Sequence, residues 1–244
     1  MYPRTVFRDD ELLQTVKTVL QRIQIDFGGG CSVSKAYLLA WLIRRYDLKC
    51  TVDIGVYRGR SLFPQACAHA GYSGGVVYGI DPWSPEEASE SDNLPLREDI
   101  EKWVRSTDFQ RVFEEVTSLK SILRLDSHCI LLRLPSEEAI SFFVEREIQF
   151  DLVHVDGNHD TLKVMADIDL YFPRLRRGGF LVLDDISWDS VLPAYRRLRA
   201  EAALVCERQN GVNDDYAVFY NGPLGARALT LRLMLAFVSR VGAT

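Results

Sequence analysis

The sequence predicts an α/β protein whose mostly parallel sheet is wound with helices on both faces. Short apolar runs recur along the chain, each ending in a polar or glycine-rich turn, and helix-length segments with periodic apolar residues separate them. Runs of that kind suit strands buried on both faces, and their alternation with helices implies parallel pairing through crossovers.

Taken in order, the strands fall at Cys50 to Ile54, Gly75 to Ile80, Cys129 to Leu132, Phe150 to Val155 and Gly179 to Leu183. Helices are expected between them at Ser61 to Ala70, Glu137 to Glu145 and Thr161 to Leu175. Upstream, Asp10 to Ile25 and Val33 to Tyr46 form two further helices, broken at Gly28-Gly29-Gly30, with Ser32 capping the second. Downstream come a helix from Ser190 to Ala202 and a terminal antiparallel strand pair, Ala203 to Glu207 and Tyr216 to Tyr220, around the turn Asn210-Gly-Val-Asn213. The last segment, Leu224 to Val241, has apolar residues at helical spacing, and its exposed stripe is expected to pack on the domain or on a second subunit. Trp83 to Thr107 is rich in Ser, Glu, Asp and Pro and follows a strand end, the position of a lid.

A chain of 244 residues fits one domain: an N-terminal helical cap over 1–47, the α/β core over 48–222 and a C-terminal helix over 223–244. No stretch approaches the length of uncharged apolar sequence that a membrane span needs, so a membrane is not expected as a partner. Met1 to Asp10 lacks an apolar signal core, which places the expected location in the cytoplasm. The five cysteines are scattered without a C-x-x-C pair and are expected to be reduced core thiols. With 29 basic and 34 acidic residues, and its one dense basic run, Arg174 to Arg177, expected at a helix C-terminus, nucleic acid is not an expected partner.

Chemistry is carried first by Asp53-Ile-Gly-Val-Tyr-Arg-Gly-Arg-Ser61, which leaves the first strand and opens a helix. There a glycine turn lets a ligand approach the backbone and the helix N-terminus. The spacing of Gly55 and Gly59 is G-x-x-x-G, and Asp53 just before the turn would repel a pyrophosphate but attract a cationic amine. That favours S-adenosylmethionine over NAD. Asp81 ends the next strand 22 residues after Gly59, where a carboxylate can accept both ribose hydroxyls. The alternative is that the glycines serve helix-to-strand packing and Asp81 caps a turn.

A second constellation is carboxylic. Asp156 ends the fourth strand, and Asp184 and Asp185 end the fifth. Neighbouring parallel strands lie about 4.8 Å apart, so these acids can converge at one sheet edge. Anions that close repel unless protonated or neutralised, and a hard divalent cation, most economically magnesium, does the latter. Otherwise Asp156 and Asp184 only cap the helices that follow. His159, three residues past Asp156 on a loop entering a helix, is the best-placed proton acceptor; its alternatives are a helix-start residue or a hydrogen-bond partner of the carboxylates. Lys163 is a lesser candidate, His154 a core histidine, and His69 and His128 surface positions.

The two cofactor segments resemble the motifs of class I S-adenosylmethionine-dependent methyltransferases, and Asp53 to Ser61 is similar to the first motif of the catechol O-methyltransferase group. The resemblance implies a Rossmann-like fold in which Gly55, Tyr57 and Ser61 contact the methionine part of the cofactor, Asp81 its ribose and Ser136 its adenine edge. Trp83 either flanks the adenine or is a buried lid aromatic. Asp156-Gly-Asn-His159 with Leu183-Asp-Asp185 resembles the macrocin O-methyltransferase and cephalosporin hydroxylase-like branch, in which matching acids hold magnesium. The likeness covers Val52 to Asp189. It departs at Asn158, where a second acid stands in part of that branch, and this shifts the role of base to His159. The expected activity is methylation of a hydroxyl on a small molecule such as a sugar, phenol or natural-product intermediate, by a homo-oligomer in biosynthesis. A metal-independent or hydroxylase-like relative and a non-catalytic cofactor-binding scaffold are the alternatives.

Overall fold

In the computed structural model, described for residues 9–211 and 213–242, seven strands form one sheet in the order β3-β2-β1-β4-β5-β7-β6. These are β1 (Cys50–Ile54), β2 (Val76–Ile80), β3 (Cys129–Leu132), β4 (Phe150–Val155), β5 (Leu175–Asp184), β6 (Ala203–Gln209) and β7 (Asp215–Tyr220). The first five pair in parallel, and β7 lies antiparallel to both β5 and β6. The sequence order reverses direction at β1 and β4, and the carboxyl ends of β1, β2, β4 and β5 meet along one edge. Ligands bind in such a crevice in open α/β sheets.

Side-chain alternation divides each central strand between two cores. Val52, Val153 and Leu181 face a core built with α7 (Ser136–Glu145), α8 (Thr161–Tyr171) and α9 (Leu192–Glu201). Leu152, Phe180 and Val182 face the opposite one, under α1 (Asp10–Leu20), α2 (Val33–Tyr46), α3 (Leu62–Ala68) and α10 (Ala226–Val238). The remaining helices lie between strand ends: α4 (Pro85–Ala88), α5 (Arg97–Ser106) and α6 (Phe109–Ile122). Among the described residues no helix is long and apolar enough to cross a membrane.

Several boundaries differ from expectation for local reasons. The first helix stops at Leu20, and the chain to Gly30 runs as turn and loop. The expected Ser61 to Ala70 helix ends in a π turn, His69–Ser73, closed by left-handed Gly74. Pro173 breaks α8 into a 3-10 turn, so Leu175 to Arg177 start β5 instead of ending a helix; the basic run is corrected to a strand start. Arg174 still serves a helix end, donating to the carbonyls of Phe143 and Ile148 after α7. The helix α6 has no counterpart in the expected set, and the segment expected as a lid contains α4 and α5. The Met1 to Asp10 expectation lies mostly, and the Val212 part of the last turn wholly, outside the described residues. The five cysteines are free, with Cys31, Cys129 and Cys206 buried.

His69 is not a surface residue. It is fully buried, its Nε2 meeting Thr51 Oγ1 at 3.0 Å and its Nδ1 meeting Ser73 Oγ at 2.7 Å. Burial pulls its pKa down to about 4. His128 is half-buried, with Nδ1 2.8 Å from the Gly75 carbonyl.

The N-terminal helices are tied to the sheet edge by one side chain. Every residue of α2 from Ser34 to Ile43 is buried, Lys35 among them at 0% exposure. Its Nζ contacts Asp184 Oδ2, lies 3.6 Å from Asp156 Oδ2 and donates to the Gly30 carbonyl at 3.3 Å. Burial works against the ammonium, but Asp184 and Asp156 outweigh it and hold the Lys35 pKa well above its ordinary value. Removing one partner of such a pair strands a buried charge, so Lys35→Met is expected to destabilise the fold by about 3–5 kcal/mol. Lys35→Met with Asp184→Asn should recover part of that loss. Urea unfolding checks both, and a single variant as stable as wild type would show that the pair does not hold α2 in place.

Candidate active site

A cavity of about 780 Å³ opens along the carboxyl edge of the sheet. Its lining includes Gly55, Tyr57, Ser61, Asp81, Ser136, Asp156, His159 and Asp185 of the expected site. Asp53, Gly59, Trp83 and Asp184 lie behind that surface.

The β1 turn works by backbone proximity. Gly55 has φ +86°, and a Cβ there would stand 1.9 Å from the Asp156 carbonyl oxygen. Only glycine lets the β1 and β4 loops come together in this conformation. The Tyr57 amide donates to Asp81 Oδ2 at 2.8 Å and the Trp83 amide to Asp81 Oδ1 at 2.6 Å. Burial pushes the Asp81 carboxyl up to about 6, against the pull of those amides. Each carboxylate oxygen retains acceptor capacity for a ribose hydroxyl.

Asp53 does not face the cavity. It is fully buried, accepting from Ser61 Oγ at 2.7 Å and lying 2.6 Å from His154 Nδ1. It thus fixes Ser61 from below, and His154 is a core histidine. Trp83 is 2% exposed, donates from Nε1 to the Tyr57 carbonyl at 2.9 Å and packs on Phe113 with centroids 4.9 Å apart. That is the buried-aromatic alternative. Gly59, at φ +84°, sits against the Phe63 ring and serves the turn.

The β4 and β5 ends carry the reactive face. Asp156 Oδ1, His159 Nε2 and Asp185 Oδ2 lie within 4.8 Å of one another, a spread one cation can bridge. The donor set expected from sequence was Asp156, Asp184 and Asp185. Lys35 contacts Asp184 Oδ2, and Asp156, His159 and Asp185 form a set close enough to hold a metal. His154, Asp156 and Asp184 also converge, but Lys35 supplies their positive charge. Burial raises Asp156, yet Lys35, His159 and His154 hold its carboxyl well below the usual range.

His159 is clamped on two sides. Its Nδ1 lies 2.7 Å from Glu90 Oε1, and its Nε2 lies 2.9 Å from Asp185 Oδ2. Burial opposes its charged form, and Glu90, Asp156 and Asp185 overcome that and raise its pKa well above 6.5. Asn158 is structural in a different sense from the acid it stands for: its Nδ2 donates to the carbonyls of Glu87 and Ser89 at 2.9 and 2.8 Å. Asp160 accepts from the Ser91 and Asp92 amides, both at 2.7 Å. Lys163, half-exposed, bridges Glu87 and Glu137 at 3.1 and 2.8 Å. The segment expected as a lid is thereby fastened to the β4 loop over residues 87–92.

Sequence reasoning missed Lys35, Glu90, Asp26 and Trp103. Asp26 Oδ2 accepts from Tyr57 Oη at 2.9 Å and from Arg58 Nε at 2.8 Å, and Trp103 Nε1 donates to Tyr57 Oη at 3.1 Å. Only Lys35 left a sequence signal, a single cation between Val33-Ser34 and the apolar run from Ala36 to Ile43.

A family model for a methyltransferase domain matches residues 52–186. No curated protein sequence matches the chain. Among solved structures, an O-methyltransferase from Bacillus cereus in complex with SAH superposes with a TM-score of 0.55 at 15% identity, over 88% of this chain and 91% of that one. NovP, an O-methyltransferase, gives 0.61 at 12%, over 88% and 98%. The O-methyltransferase TomG from Streptomyces achromogenes, involved in tomaymycin synthesis and in complex with SAM, gives 0.53 at 15%, over 88% and 89%. At these identities the likeness is one of fold. Because the family model spans more than half of the 244 residues, and spans the β1 turn, Asp81 and the β4 and β5 acids, the chain belongs to the methyltransferase-domain family and is a class I S-adenosylmethionine-dependent methyltransferase.

Proposed function

We propose that this enzyme methylates a hydroxyl group of a small molecule, with His159 receiving the hydroxyl proton. The observation that carries the proposal is the Glu90–His159–Asp185 arrangement, because it holds a buried imidazole at the wall of the same cavity that the Gly55 turn and Asp81 border. A volume of about 780 Å³ accommodates a nucleoside cofactor and an acceptor together. In this reading the methionine part lies along Gly55 to Ser61, the ribose at Asp81 and the adenine near Ser136.

The acceptor oxygen would lie beside His159. When bound, S-adenosylmethionine would supply the methyl group to that oxygen and leave as S-adenosylhomocysteine with the S–CH3 electron pair, while His159 Nε2 would take the hydroxyl proton. Glu90 orients the ring through Nδ1 and, with Asp185, stabilises the imidazolium that results. The His159 pKa raised by its acidic neighbours gives the expected pH behaviour. The free base is scarce at low pH, so kcat should rise with pH along a curve displaced above 6.5. His159→Gln should lower kcat by about 10² to 10⁴ and flatten that rise, with cofactor affinity unchanged. A variant with near-wild-type kcat would make His159 structural.

Asp156 and Asp185 are the proposed holders of a magnesium ion, which when bound would polarise the acceptor hydroxyl. A second, metal-independent reading is favoured by Lys35, whose ammonium already compensates Asp184 and Asp156. Chelation separates them. Formation of S-adenosylhomocysteine is expected to stop on exhaustive chelation and return with magnesium, while calorimetry still detects cofactor binding without metal. Full turnover after chelation would select the metal-independent reading.

The same proposal describes a cytoplasmic biosynthetic enzyme acting as a homo-oligomer, without nucleic acid or membrane partners. It draws support from α10, which exposes Leu229 at 59% and Leu233 at 71%. Light scattering should give a mass above 27.8 kDa, and a monomer at all concentrations would remove the oligomer.

A further inference from the structure

One buried acid in the cavity has no part in the chemistry above. Asp167 lies within α8, on the turn of helix that passes behind the β4 loop. It lines the cavity together with Pro135, Ser136 and Gly157, is 4% exposed, and its Oδ1 has no hydrogen-bond partner. A buried carboxyl oxygen without a donor costs free energy that a neutral side chain in the same helix would avoid. Gly157, the residue covering it from the β4 loop, has no side chain, and a Cβ there would stand 3.7 Å from Asp167 Oδ2. The neighbouring wall is held by Tyr171, whose hydroxyl donates to the Ser136 carbonyl at 2.8 Å.

We propose that Asp167 reads the amino edge of the cofactor's adenine, accepting the exocyclic N–H that Oδ1 lacks. This rests on the reading that the adenine lies near Ser136. It adds a determinant of base identity that neither the β1 turn nor the acids at Asp81 and Asp156 supply. The chemistry is specific. Adenine presents an amino donor beside a ring-nitrogen acceptor, whereas hypoxanthine presents a carbonyl oxygen beside a ring N–H. A carboxylate oxygen facing the amino group is matched to the first and meets the carbonyl oxygen of the second with repulsion. Burial pushes the Asp167 carboxyl up to about 7, so the discriminating carboxylate form gains weight as pH rises through that value.

The test compares S-adenosylhomocysteine with S-inosylhomocysteine, which differs only at that edge, by calorimetry on wild type and on Asp167→Asn. Wild type should bind the adenine compound between about tenfold and 100-fold more tightly, the range for a buried hydrogen bond to a charged group. The asparagine amide can turn to suit either base. Asp167→Asn should therefore weaken S-adenosylhomocysteine by about tenfold, bind S-inosylhomocysteine no worse than wild type does, and bring the two within about threefold. The wild-type comparison needs no variant, so a variant that fails to fold leaves a decisive measurement in hand. Equal binding of the two compounds by wild type, or an undiminished preference in a folded Asp167→Asn protein, would overturn the role of Asp167 while leaving the cofactor site intact. Failure of wild type to bind S-adenosylhomocysteine at all would overturn the placement of the cofactor, and this inference with it.

Discussion

The placement of one buried ammonium decides how the acidic edge of this sheet can exist. Asp156, Asp184 and Asp185 are delivered to one place by the parallel pairing of β4 with β5, which sets Val155 opposite Leu183. Acids converging there carry a large desolvation cost, and the fold meets part of it from outside the sheet, by sending Lys35 down from α2. The same contact fixes the N-terminal helices, because a lysine at 0% exposure has nowhere else to place its charge. Docking of α2, the position of the loop from Asp26 to Cys31 along the cavity, and the charge state of the site are therefore one event.

That contact also marks where sequence reasoning ran out. The strands at Cys50–Ile54, Cys129–Leu132 and Phe150–Val155 were legible to the residue, because buried parallel strands are continuous apolar runs and little else in this chain resembles them. The α6 helix was not, since its apolar positions are diluted by charge and it touches the core mainly through Phe109, Val112 and Val116. Along the cavity lining, Gly55, Asp81, Asp156 and His159 were legible because each sits at a strand end or in the loop that follows one, where topology dictates the neighbourhood. Lys35 and Glu90 come from segments far away in sequence, and no local pattern says that residues 35 and 184, or 90 and 159, will meet. Asp53 and Trp83 show the converse. Both flank legible turns, yet the alternation of side chains along β1 turns Asp53 toward Ser61 and His154, and Trp83 folds under the Tyr57 backbone.

Left-handed backbone recurs at the same edge. Tyr57, Trp83 and Asp185 follow the ends of β1, β2 and β5 with φ of 44°, 46° and 49°, a region that residues with a Cβ seldom occupy. Each is held there by hydrogen bonds: Tyr57 through its amide to Asp81, Trp83 through its amide to Asp81 and its Nε1 to the Tyr57 carbonyl, Asp185 through its amide to the Asp215 carbonyl at 2.7 Å. Strain of this kind persists only where the surroundings over-determine it, and it concentrates where side chains must be aimed.

Glu90, which orients His159, belongs to the segment fastened by Asn158 and Asp160 to the β4 loop. Any movement that uncovers the cavity by lifting this segment takes the orienting carboxylate with it. The imidazole would then face the acids at Asp156 and Asp185 without its second support, and its pKa and aim would both change. In the proposed mechanism, competence to accept a proton is thereby tied to closure, and an open, solvent-filled cavity is also a disarmed one.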